Sequence, residues 1–66
     1  MTWVAEAYSA AIILIEYHGS AAANYAGRRA EQLLENGDPE GALAWHHILG
    51  AIVELQRGRR EGEGLN

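Results

Sequence analysis

The 66-residue chain has no cysteine, no phenylalanine and no lysine, and a single proline. Without cysteine there is no disulfide to staple a small fold and no thiolate to hold a structural zinc ion. The same absence agrees with a reducing cytoplasm, where the chain is expected to reside. Without lysine, its five basic residues are all arginine, and nine acidic residues bring the formal net charge to −4. That balance favours solubility. It argues against a nucleic-acid partner, because phosphate binding needs a concentrated positive surface. Long apolar runs are missing too. The longest, Ala10 to Ile15, falls far short of the roughly 20 residues that cross a bilayer. No basic segment followed by a cleavage site marks a secretory signal. No membrane contact is expected.

What is abundant is alanine, 12 residues, followed by 8 glycines. Alanine is the strongest helix former, and an apolar content of 48% is too high for a disordered chain. The length allows one domain at most. Thr2 is placed to cap a first helix over 3–18, which Gly19 ends. Trp3, Val4, Ala7, Tyr8, Ala11, Leu14, Ile15 and His18 share one of its faces. Ser20 is placed to cap a second helix over 21–36, whose apolar stripe is Ala22, Ala26, Ala30 and Leu33, flanked by Leu34. The sharpest local signal is Asn36-Gly37-Asp38-Pro39. Gly37 stops the second helix, Asp38 caps the third, and Pro39 takes its first position, where a missing N–H costs nothing.

The third helix is expected over 39–57, burying Ala44, Trp45, Ile48, Leu49, Ile52 and Leu55. Gly41 and Gly50 each cost about 1 kcal/mol in a helix interior, and close helix packing would account for both. The expected fold is all-α: a small three-helix bundle over 1–57, its second and third helices an antiparallel hairpin, with a disordered tail over 58–66. The expected core is Trp3, Tyr8, Leu14, Ile15, Leu33, Leu34, Trp45, Ile48, Leu49, Ile52 and Leu55.

Groups able to carry chemistry are sparse. Of the three histidines, His46 and His47 point about 100° apart on one helix, and neither has a carboxylate at i+4. His18 reads as a helix-terminal residue that closes the end of the core. Ser9 lies on a polar face with no histidine at helical spacing, while Ser20 and Asp38 are used as caps. Catalysis needs a nucleophile, a base and an orienting group converging in a pocket. The expectation is therefore a non-enzymatic protein without metal or cofactor.

Apolar residues on polar faces are more informative. Ile13 falls among Glu6, Ser9 and Glu16, and Leu43 falls among Glu40, His47 and Glu54. Tyr17 and Tyr25 lie at the margins of their helices. Clustered in space, such residues mark a contact surface. Ile13, Leu43, Tyr17 and Tyr25 are thus candidate positions for a protein partner or self-association. The alternative is a nucleic-acid-associated regulator using Arg28/Arg29 and Arg57/Arg59/Arg60. Asp38 and Glu40 at the start of the third helix oppose it, because that end of a recognition helix enters the groove.

The middle of the chain carries His18-Gly19, Ala22, Ala26, Arg29-Ala30, Leu33-Leu34, Gly37-Asp38, Gly41, Trp45, Ile48, Ala51-Ile52 and Leu55-Gln56. This pattern resembles a family of small, single-domain helical proteobacterial proteins with no assigned activity, a domain of unknown function. The match covers about three-fifths of the chain, His18 to Gln56. The resemblance implies a bacterial, helical, cytoplasmic protein and supplies no functional residues.

Overall fold

The computed structural model describes the backbone of residues 3–65 and the side chains of 4–57. Helix α1 (Trp3–His18) passes through one 3-10 turn (Gly19–Ala21) into α2 (Ala22–Glu35), and a short turn leads to α3 (Pro39–Leu65). The protein is all-α. Three independent rods are not what the backbone forms, however. Residues 3–35 make one bent helical rod that packs against the long α3. No helix among the described residues is long and apolar enough to cross a membrane.

The bend lies at Gly19, whose φ of +58° is the left-handed conformation that only glycine adopts without penalty. The Gly19 carbonyl accepts the Ala22 N–H within the 3-10 turn and a second hydrogen bond from Gln56 Nε2 of α3 at 3.1 Å. A single side chain thus ties the bend to a helix 37 residues away in sequence. Ser20 does not cap α2 as expected. It lies inside the 3-10 turn, and α2 starts after Ala21 with no side-chain cap, because the turn hands its own hydrogen bonds on to the helix. Thr2 lies outside the described residues.

The α2–α3 turn forms as the sequence predicts. Gly37 has φ +82°, its N–H donates to the Leu34 carbonyl, and the Asp38 N–H donates to that of Leu33. This paired arrangement satisfies the last carbonyls of α2. Asp38 Oδ1 then accepts the Gly41 N–H at 3.0 Å, capping α3. A Cβ at Gly41 would lie 2.5 Å from Asp38 Oδ2 and 3.3 Å from Leu33 Cδ1, so a larger residue there would push on the capping carboxylate and on the end of α2. Because the turn is short, α2 and α3 run antiparallel: Leu33 lies near the start of α3 and Gly19 near Gln56. Where the sequence reading ends the third helix at 57, α3 continues to Leu65.

The interior is built differently from the expectation. Among the described residues, the buried ones are Ala7, Ala11, Ala22, Ala26, Ala30, Ala42, Ala51 and Ile52. Seven of these eight are alanines, whose small side chains let the helices approach closely, and Ile52 is the largest fully buried side chain among the described residues. Tyr8, Leu14, Ile15, Trp45, Ile48, Leu49 and Leu55 pack around that centre but are only partly buried. Leu33 is partly buried. Leu34 was assigned to the core and is instead 58% exposed. Two residues placed on buried faces, Val4 and Ala44, are also exposed. Leu34 and Val4 share a cause: small residues define a narrow contact seam, and large residues one helical step away fall outside it. The Trp3 side chain lies outside the described residues.

Ala26 is 0% exposed in this close contact, so Ala26→Leu should force the helices apart and destabilise by about 1–3 kcal/mol or more. Leu34→Ala should change stability by no more than about 0.5 kcal/mol. Urea denaturation followed by circular dichroism measures both. A loss of several kcal/mol for Leu34→Ala would return that residue to the core.

Candidate interaction surface

Two open clefts flank the place where the first half of α1 crosses α3. One, of about 540 Å³, has an apolar floor of Ala7, Ala10, Leu43, Ala44 and Ile48, with Glu6, Glu40 and His47 also on its walls. The other, of about 550 Å³, is lined by Val4, Ala7, Tyr8, Gly50, Ala51 and Val53, with His47 and Glu54. Ala7 and His47 belong to both. The two clefts are therefore halves of one apolar strip, interrupted by the small Ala7 and bordered by carboxylates.

The residues singled out by sequence divide between this strip and a second place. Leu43 lines the first cleft and is 57% exposed. Ile13 and Tyr17 are 51% and 81% exposed. They follow Ala10 at i+3 and i+7, on the same side of α1. Tyr25 is elsewhere. Its ring stacks on His18 with centroids 4.5 Å apart and meets the edge of Trp45 at 5.9 Å. Aromatic pairs at these separations each add about 0.5–1.5 kcal/mol beyond their buried area. Tyr25 thus links the bend to α3 while remaining 38% exposed. His18 is exposed and covers Tyr25 rather than closing the core.

Sequence reasoning missed Val4, Ile12, Leu34 and Val53 as exposed apolar positions. For Val4 and Leu34 the signal available was the run of small residues beside them, which marks where helices touch and so where large residues do not. Gly50 was also misread. Close packing was expected to explain it, yet a Cβ there would meet nothing within 4 Å.

The arginines of the alternative reading are partly committed. Arg29 donates from one guanidinium nitrogen to Gln32 Oε1 at 3.0 Å, and its guanidinium lies 5.7 Å from the centroid of the Trp45 ring. Arg28 and Arg57 are exposed. The side chains of Arg59 and Arg60 lie outside the described residues. Arg28 and Arg29 share a cleft of about 330 Å³ with His18, Asn24, Tyr25 and Gln32. Among the described residues, no group of three or more histidines and carboxylates is arranged to hold a metal ion. No family model, no curated protein and no solved structure matches the chain.

With half its surface in water, Ile13 contributes little to the fold. Ile13→Glu should keep the helical content and lower stability by no more than about 0.5 kcal/mol. Ile15→Glu, at a position packed against the core, should unfold or strongly destabilise the chain. Thermal melts of the two variants side by side test the phase of α1.

Proposed function

We propose that this is a small, non-enzymatic helical protein, cytoplasmic and bacterial, that works by presenting an apolar helical surface to a protein partner or to itself. One observation supports the reading most: among the described residues the buried interior is seven alanines and Ile52, while many large apolar side chains stand at the surface. Val4, Ile12, Ile13, Tyr17, Leu34, Leu43 and Val53 are each at least 40% exposed. A chain this short has little core to spare. Leaving so much apolar surface in water is compensated when a partner covers it, and a Leu, Ile or Tyr moved fully out of water contributes about 1.5–3 kcal/mol.

The carboxylates beside the strip, Glu6, Glu40 and Glu54, add selectivity through charge rather than affinity. The resemblance to small helical proteobacterial proteins is compatible with this role and assigns no residue to it. A nucleic-acid role finds less support, since Arg29 is turned onto Trp45 and Gln32.

The reading is tested with the wild type, Ile13→Glu and Leu43→Glu as parallel baits in a nuclease-treated lysate of the native host. A protein retained by the wild type and lost with both variants is the expected result. Identical captures by all three baits, from folded variants, would sink the surface as a functional site.

A further inference from the structure

We propose that the cleft beside the bend binds a small phosphate-bearing molecule through the guanidinium groups of Arg28 and Arg29. This cleft, of about 330 Å³, has His18, Asn24, Tyr25, Arg28, Arg29 and Gln32 in its lining. It shares no lining residue with the apolar strip. The proposal therefore goes beyond the contact surface and does not rest on it.

Charge is the first argument. The chain carries nine acidic and five basic residues, and carboxylates border both halves of the apolar strip. Among the described residues no carboxylate lines the cleft beside the bend, whereas two of the five arginines do. A concave site walled by one sign of charge concentrates ligands of the other.

The hydrogen-bonding inventory is the second. Gln32 gives its side-chain oxygen to Arg29, so its amide N–H groups are what it offers a ligand. Arg29 uses one guanidinium nitrogen in that bond and lies over the Trp45 ring, which leaves the remaining N–H groups of its fork to the cleft. Arg28 is exposed and makes no hydrogen bond or ion pair among the described residues. The site is thus rich in cationic donors. One carboxylate is satisfied by a single guanidinium fork, while a phosphate has three outer oxygens and a second charge to use both.

The third is that one wall is already in place. His18 and Tyr25 would stand about 10 Å apart along a straight helix, and the bend at Gly19 brings their rings to 4.5 Å. Tyr25 leans on Trp45, and the half-buried Arg29 is held over the same indole. Groups fixed before binding lose little freedom on binding. The volume lies at the lower end of the roughly 300–1,000 Å³ typical of small-molecule sites. That suits a phosphate with a small organic group. A nucleic-acid backbone instead asks for a run of cationic contacts, which two neighbouring arginines do not supply.

Free phosphate and a phosphate monoester share this chemistry. Titration of the isotope-labelled full chain with inorganic phosphate and with phenyl phosphate, followed by nuclear magnetic resonance at constant ionic strength, separates them. Saturable shifts at Asn24, Tyr25, Arg28, Arg29, Gln32 and the Trp45 indole are expected. Tighter binding of phenyl phosphate, whose ring can stack on the exposed His18, assigns the site to a monoester, and equal binding assigns it to free phosphate. Arg28→Gln should keep the helical content and weaken binding about tenfold or more. Arg29→Lys keeps the charge but loses the fork, and should weaken binding by a similar factor. Arg57→Gln, at an exposed arginine outside the cleft, should change nothing. Absence of saturable shifts overturns the proposal, as does an equal loss with Arg28→Gln and Arg57→Gln, which would mark general attraction to positive charge. Either result leaves the contact-surface reading untouched.

Discussion

The architecture depends on alanine-to-alanine contact between helices. Ala11, Ala22, Ala26, Ala51 and Ile52 form one buried cluster to which α1, α2 and α3 all contribute. Methyl groups in this position gain little hydrophobic free energy individually, but they let helical backbones approach closely and bring many weak dispersion contacts into range. Ala11, Ala22 and Ala26 have no exposed surface left. The contact also sets where everything else goes, because larger side chains must lie beside the seam and not in it.

The seam would not assemble without the two places where the chain changes direction. At Gly37 and Asp38, backbone hydrogen bonds finish α2 and a carboxylate starts α3 within a few residues. At Gly19 the left-handed residue bends the rod, and Gln56 holds the exposed carbonyl. The aromatic contacts of His18, Tyr25 and Trp45 reinforce the same corner, where one end of the bent rod leans on α3. The two turns differ in kind. The first is local and complete in four residues, while the second depends on a hydrogen bond from a distant helix.

A small interior made of small residues has a consequence for function. The fold leaves its larger apolar groups partly in water, along an apolar strip on α1 and α3 that carboxylates border. The same economy of packing leaves that strip uncovered by the chain's own side chains. The histidines and arginines, by contrast, are spread around the molecule, with His18 and Arg29 occupied by aromatic partners.

Local physics is what the sequence by itself determined. Helical content follows from alanine. The turn at Asn36-Gly37-Asp38-Pro39 follows from backbone rules that act over a few residues. The exposure of Ile13 and Leu43 follows from their polar neighbours on the helical wheel. The tertiary structure alone decided which residues in an apolar arc touch another helix. Val4 and Leu34 share arcs with buried alanines, yet they stay exposed, because a contact seam is narrower than the arc and its position depends on the crossing of two helices. It alone also joined α1 and α2 into one bent rod, drew Tyr25 into the aromatic corner, and left Gly50 facing open space. Each of these depends on distances between residues far apart in the chain, which no local pattern encodes.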